Sequence, residues 1–203
     1  TLLASMVSHL VYTGFEYQVN EDIKNGGLNK YLVKPVNYRS YQFFSFLGEK
    51  APQLLILLAV AAALLIFSVA VLGLMLSFPR VLAFLVSLIL ALVLNFFIFY
   101  CVALISFWLT DVNLLFGTVS VVLVVVSGGV FPMDIFGERI AFAVNLLPFG
   151  YTTQFPVNII NGRFGLRETG AGFLCQIFWI CCFGMLAEIL WKRGLKRFTA
   201  VGG

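Results

Sequence analysis

The sequence has few charged residues and almost no histidine. Of its 203 residues, 13 are Lys or Arg, 9 are Asp or Glu, and His9 alone is histidine, so that charged residues make up 11%. Ordinary soluble domains carry about 25% charged residues, whereas this chain is 61% hydrophobic with a mean hydropathy of +1.01. The shortage of charge excludes a water-soluble globular fold and indicates helices that lie in a lipid bilayer.

The chain also lacks the residue clusters that chemistry requires. It has no G-x-x-x-x-G-K-[ST] phosphate loop, because the "GEK" at 48–50 has no upstream glycine. His9 stands alone in an apolar stretch, where hydrogen bonding within the bundle explains it better than a relay role. We therefore predict no catalytic residue, no metal site, no cofactor and no nucleic-acid partner for this chain. The four cysteines match no zinc spacing and are expected to be small buried hydrophobic residues: Cys101, Cys175, Cys181 and Cys182.

Long runs without charge predict an all-α, polytopic membrane protein. The first apolar stretch is too short to span at about 1.5 Å per residue, so we expect it to be the end of a helix that begins before Thr1. The predicted order is a helix end at 1–16, a polar loop at 17–50, helices at 51–76, 80–108, 112–132 and 170–191, and a polar tail at 192–203.

The segment 134–164 is ambiguous, because it is long enough to cross but rich in Pro, Gly and Asn. Cytoplasmic loops are enriched in Lys and Arg. If the segment does not cross, loop 17–50 and the tail share one side, with nine basic residues against four. If it crosses, the division is seven against six. The comparison favours a re-entrant hairpin on the outer face and a cytoplasmic loop 17–50. In the tail, we expect Glu188 to pair with Lys192 rather than to carry protons.

The most polar stretch, "NEDIKNGGLNKYLVKPVNYRSYQ", lies between apolar segments. Asn20 is predicted to cap a short helix that Gly26 and Gly27 end. Leu28, Tyr31 and Leu32 are spaced to share one face of a second turn. This element is either an interfacial helix resting on lipid or a docking surface for a soluble partner.

A resemblance favours the docking surface. The stretch "DIKNGGLNKYLVKPVNYRSYQF" is similar to the segment after the second membrane helix of type-2, export-type ABC transporter permeases of a bacterial branch. Its I-x-x-G-x-L-x-x-x-L-x-x-P pattern is carried by Ile23, Gly26, Leu28, Leu32 and Pro35. "SGGVFPMDIF", "LLPFGYTTQFPVNIINGR" and "LKRFTAVGG" resemble the same branch, and the similarity covers essentially all 203 residues.

The resemblance implies a six-helix permease of which this chain holds the end of helix 2 and helices 3 to 6. It implies the bacterial cytoplasmic membrane, a cytoplasmic C-terminus, a second permease chain and two separate ATPase subunits that bind ATP and Mg. The ATPase-coupling residues are then Glu21, Asp22, Ile23, Gly26, Leu28, Leu32 and Pro35. The candidate outer gate comprises Gly128, Gly129, Pro132, Pro148, Phe149 and Pro156.

On the same reading, the substrate is amphipathic or hydrophobic and passes along helix faces between two permease chains. The candidate pathway residues are Asn95, Phe96, Phe97 and Phe99, for which packing in the core or against lipid is the simpler explanation. An ion-coupled carrier or channel is the first alternative, although carriers usually show repeats and broken midplane helices. A non-transporting membrane scaffold is the second.

Overall fold

The structure is a computed structural model of the chain that describes residue 7 and residues 13–34, 36–72, 78–109, 112–126 and 147–198. These residues form seven α-helices and no strand, so the all-α class is confirmed for them. In chain order the helices are α1 (Phe15–Lys24), α2 (Asn29–Leu32), α3 (Tyr38–Leu72), α4 (Phe78–Leu104), α5 (Asn113–Val126), α6 (Gln154–Ile160) and α7 (Leu166–Leu195). Two short 3-10 helices, Ile105–Phe107 and Pro148–Tyr151, follow α4 and precede α6.

Three helices of the described part are long and apolar enough to cross a membrane, over Tyr38–Ala63, Phe78–Phe107 and Leu166–Leu195. Helix α4 is the centre of the bundle. Half of the residues in its apolar stretch are buried, whereas the buried share of the corresponding stretch is 22% in α3 and 11% in α7. It contacts α1, α6 and α7. The outward sides of α3 and α7 are apolar and exposed, as expected for surfaces that meet lipid or another chain.

Helix α3 begins at Tyr38, so the prediction of a loop as far as residue 50 is wrong for its second half. Tyr38, Gln42, Phe46 and Lys50 follow one another at four-residue intervals and are all at most 3% exposed. This spacing places them on one face of a helix. This buried face stabilises a helix over residues 38–50, although the polar residues on its other faces gave that stretch the composition of a loop.

Asn20 is not a helix cap, because α1 already begins at Phe15 and Asn20 lies within it, 6% exposed. The predicted end of the helix is confirmed. Helix α1 stops at Lys24, and Gly26 adopts a φ of 73°, a left-handed conformation that glycine reaches without steric cost.

Helix α7 extends beyond the predicted range 170–191 at both ends. Glu168 supports its first turn, where its carboxylate accepts the backbone N–H of Gly165 at 2.8 Å. Lys192 and Arg193 occupy the last turn, where positive charge complements the helix dipole. The length of a charge-free run is therefore shorter than the helix itself when the ends of the helix lie at the membrane surface and carry charged residues.

Candidate functional site

The polar element of the sequence is a helix–turn–helix unit formed by α1 and α2. The backbone N–H of Leu28 donates to the carbonyl of Asp22 at 2.8 Å, which folds the turn back onto α1. A Cβ on Gly27 would lie 2.5 Å from Oδ1 of Asp22 and 3.2 Å from its Cα. Gly26 thus supplies the backbone conformation and Gly27 the close approach that this turn requires.

Asp22 anchors this unit to α3. Its side chain is buried, and its Oδ2 accepts a hydrogen bond from the Tyr38 hydroxyl at 2.9 Å. Nε2 of Gln42 donates to the same hydroxyl at 2.9 Å, and Nζ of Lys30 lies 3.5 Å from Oδ1 of Asp22. A buried carboxylate is costly unless it is paired and hydrogen-bonded, and here it is both. Asp22 therefore fixes the position of the unit.

Tyr31 of α2 strengthens the same anchor. Its ring lies 5.0 Å from the ring of Tyr38, edge to face, and 4.9 Å from that of Tyr41. Burial, followed by the hydrogen bond with Tyr41 and the negative charge of Asp22, raises the pKa of Tyr31. The ring therefore remains a neutral phenol, which suits an aromatic cluster.

The anchor extends to α7. Tyr38 stacks on Trp191 with ring centroids 5.3 Å apart and an interplanar angle of 11°. Arg39 pairs with Glu188 at 3.0 Å, and Lys192 pairs with Glu188 at 3.2 Å. The predicted Glu188–Lys192 pair is confirmed, whereas sequence reasoning missed Arg39. These contacts place the polar segment and the tail at the same end of the bundle, as the charge comparison favoured.

The predicted coupling residues divide by exposure. Glu21 is exposed and Leu32 is 47% exposed, but Asp22, Ile23 and Leu28 are buried and Gly26 is half-buried. Leu28 and Leu32 therefore do not form one outward face. The buried members shape the unit, whereas Glu21 and Leu32 are exposed at its surface. Pro35 lies outside the described residues.

An exposed apolar surface, which sequence reasoning missed, follows the helix–turn–helix unit. We call it the tip surface; it consists of Leu32, Val33, Lys34 and Val36. Val33 is 82% exposed and Val36 is 47% exposed. The short sequence "LVKPV" carried a signal for it, because a lysine and a proline among the apolar residues are unsuited to burial in a helix.

The candidate pathway residues lie in the interior of the chain rather than along an open face. Phe96 and Phe99 are fully buried and Asn95 is 2% exposed, while Phe97 is half-buried. The ring of Phe96 lies 5.0 Å from Phe15 and 5.3 Å from Tyr100. In this arrangement Phe96 joins α4 to α1 within an aromatic core.

At the opposite end, residues 147–165, which precede α7, pack into the bundle; we call them the re-entering segment. Nε2 of the buried Gln176 donates to the carbonyls of Ser87 at 3.1 Å and Tyr151 at 3.0 Å. Ser87 Oγ donates to Oε1 of Gln176 at 3.3 Å. Ser87 and Gln176 lie about 13 and 15 Å along α4 and α7 from the ends of these helices. Tyr151 is therefore well inside the bundle.

The segment then returns to the surface through α6, which is too short to span. The ring of Phe155 occupies the place where a Cβ on Gly172 would be, so α6 and α7 meet without a gap. Of the candidate gate residues, Pro148 and Phe149 begin the 3-10 helix and Pro156 lies in the first turn of α6. Gly128, Gly129 and Pro132 lie outside the described residues, as does 134–146 of the predicted hairpin.

The described residues contain no group of three or more His, Cys, Asp or Glu side chains that could hold a metal ion. What they define is a polytopic helical membrane protein with an anchored surface unit at one end and a re-entering segment at the other.

A sequence profile of the ABC-2 family transporter proteins matches residues 1–202. The chain therefore belongs to the ABC-2 family of membrane transport components, and it is a permease of an ABC transporter. Membrane components of this family work with ATPase partners. No curated protein and no solved structure matches the chain.

Proposed function

We propose that this chain is the permease subunit of an exporter for amphipathic or hydrophobic substrates, driven by separate ATPase chains that dock on the tip surface. The observation that carries the proposal is a continuous set of contacts from that surface into two spanning helices. Through Asp22, Tyr38 and Trp191, a displacement of the α1–α2 unit is passed to α3 and α7.

The chemistry of the tip surface fits a protein partner. Leu32, Val33 and Val36 expose apolar area beside Lys30 and Lys34. The helix–turn–helix unit beneath is held by a buried carboxylate and by aromatic packing, so little conformational entropy is lost on docking. ATP and Mg would bind in the ATPase, because the permease sequence has no phosphate loop.

In this proposal the chain works with a second permease chain, either a copy or a paralogue, in the bacterial cytoplasmic membrane with its C-terminus inside. The substrate would follow the seam between the two chains. Helices α3 and α7 offer exposed apolar side chains for such a seam, including Leu55 at 68% and Met185 at 62% exposed. With Phe96 and Phe99 in the core, the half-buried Phe97 is the pathway candidate that stays accessible.

The proposal is tested by changing exposed leucines at one end of the bundle. The tagged full chain is purified from its native membranes, and co-purified chains that carry a G-x-x-x-x-G-K-[ST] loop are quantified by mass spectrometry together with ATPase activity. Leu32→Asp and Val33→Asp are expected to reduce both by at least ten-fold, since each places a charge in an apolar contact. The matched control is Leu109→Asp, because Leu109 is 45% exposed but lies outside the tip surface.

If Leu32→Asp and Val33→Asp retain a stoichiometric partner and full ATPase activity, docking at the tip surface is wrong. The same conclusion follows if a cysteine placed at Val33 is labelled from outside intact cells.

A further inference from the structure

A cleft lies at the end of the bundle opposite to the tip surface, and the proposed function does not use it. It encloses about 400 Å³ between the first turns of α4 and α7 and the end of α6. Its lining includes Pro79, Arg80, Ala83, Ile159, Phe164 and Leu166. One cation among apolar side chains gives the cleft an amphipathic character.

The cation of this cleft lies against the turn that follows α6. Gly162 has a φ of 71°, and the guanidinium of Arg80 lies over it, with Nη1 3.0 Å from where a Cβ would be. A larger residue at 162 would therefore be strained and would displace Arg80. Arg80 forms no ion pair with any other residue that the structure describes.

The described residues near this end of α4 and α7 include three arginines, counting Arg80, and one carboxylate. Arg163 follows Gly162 directly, and Arg167 lies in the first turn of α7; both are exposed. The neighbouring carboxylate, that of Glu168, accepts the backbone N–H of Gly165 and so serves the helix end. Basic residues at this end run against the usual preference of Lys and Arg for the cytoplasmic side. An anion is the ligand that would balance them.

The apolar part of the cleft lies between α4 and the segment that leads into α7. Ala83, Ile159, Phe164 and Leu166 supply this part of the lining. The exposed side chains of Leu82, Val86 and Ile89 lie on a different side of α4, because at 100° per residue they point about 120 to 180° away from Arg80. A hydrocarbon chain that begins beside Arg80 would therefore lie within the cleft.

We propose that this cleft binds an anionic amphiphile, a phosphate-bearing lipid of the adjacent leaflet. Its phosphate lies on the guanidinium of Arg80 and its acyl chain lies against Ala83, Ile159 and Phe164. Arginine suits this role because its planar fork can hold two phosphate oxygens at once. The site requires only that the chain sits in a membrane, and it is independent of ATPase docking.

The test uses a fluorescent reporter within the cleft. Phe164→Trp is introduced into the full chain, and the fluorescence of the chain without this change is subtracted to remove the native tryptophans. Quenching is titrated with phosphatidylglycerol and phosphatidylcholine that carry identical brominated acyl chains, with inorganic phosphate as a competitor. Arg80→Gln removes the cation, Ala83→Trp fills the cleft, and Arg197→Gln changes an arginine at the other end as the control.

We expect phosphatidylglycerol to bind about five-fold more tightly than phosphatidylcholine, the effect of one well-placed arginine near a membrane surface. Arg80→Gln should abolish this preference, Ala83→Trp should weaken both lipids, and Arg197→Gln should change neither. Thermal unfolding of each variant checks that it is as stable as the unchanged chain.

Equal quenching by the two lipids in the chain with Arg80 intact would overturn the proposal. So would unchanged quenching in Ala83→Trp. Displacement of phosphatidylglycerol by inorganic phosphate alone would show that the cleft takes a free anion rather than an amphiphile.

Discussion

The two ends of the bundle are each fastened by one buried polar group, but the groups differ in kind. At the end with the tip surface, the carboxylate of Asp22 accepts a hydrogen bond from the hydroxyl of Tyr38 and forms an ion pair with Lys30. At the other end, the neutral Gln176 bonds two backbone carbonyls and a serine. A carboxylate is tolerable near the membrane surface, where water and lysine are close, whereas an amide satisfies backbone groups deeper in the bundle at a lower desolvation cost.

Helix α7 takes part in both fastenings. Gln176 and Trp191 are separated by about 22 Å along this one helix. If a movement of the α1–α2 unit turns or tilts α7, the contact of Gln176 with Tyr151 therefore transmits that movement directly to the re-entering segment. The two ends differ in chemistry but share a rigid connection.

The largest effect is expected for the first end, from Leu28→Asp. Leu28 is fully buried, so the substitution places an unpaired charge inside the helix–turn–helix unit. We expect a loss of about 4 kcal/mol or more in the free energy of unfolding. Thermal unfolding in detergent measures this loss.

Leu32→Asp is the matched control for Leu28→Asp, because Leu32 is 47% exposed on the same unit. It should unfold within about 0.5 kcal/mol of the unchanged chain. Equal destabilisation by the two variants would contradict the division into buried and exposed residues.

A smaller effect is expected at the other end from Gln176→Leu, which removes the donors to the carbonyls of Ser87 and Tyr151. The carbonyl of Ser87 keeps its hydrogen bond within α4, but loss of the bond to the carbonyl of Tyr151 should cost about 1 to 3 kcal/mol. Reaction of a cysteine placed at Tyr151 with a water-soluble maleimide should become faster, since the segment loses its fastening.

Gln18→Leu, at an exposed position of α1, serves as the control for Gln176→Leu. If the two variants unfold alike and the cysteine at Tyr151 reacts at an unchanged rate, Gln176 does not hold the re-entering segment.

The smallest effect is expected for the pair of Arg39 and Glu188. Both side chains are about two-fifths exposed, at 40% and 42%. A double-mutant cycle with Arg39→Gln and Glu188→Gln should give a coupling of about 0.5 kcal/mol that falls as salt is added. A coupling above about 2 kcal/mol that does not change with salt would mean that the Arg39–Glu188 ion pair, rather than the Asp22–Tyr38 hydrogen bond, is the main stabilising contact at this end.

Much of the helix layout could be predicted from charge-free runs, because lipid excludes unpaired charge along a spanning helix. The start of α3 could not be predicted in this way, since its buried stripe includes Gln42 and Lys50. A four-residue interval test on Tyr38, Gln42, Phe46 and Lys50 would have found it. Charge content alone treats a polar residue on a buried face as a loop residue.

The helix–turn–helix unit could be predicted as a segment, but the exposure of its individual residues could not. The family pattern marks Ile23 and Leu28 together with Leu32, yet the fold buries the first two and exposes the third. A sequence pattern does not separate the residues that shape a surface from those that form it. The role of Tyr38 and Trp191 depends on contacts between distant parts of the chain, which local spacing cannot reveal.

The ring of Phe155 in the notch at Gly172 has a consequence for how the re-entering segment can move. A shift of α6 along α7 would bring that ring against side chains one turn away on the same face of α7, such as those of Thr169 and Gln176, instead of a bare Cα. Sliding along α7 is therefore hindered, and the ring has to leave the notch before the segment can change register. Gly172 thus fixes where α6 is seated on α7.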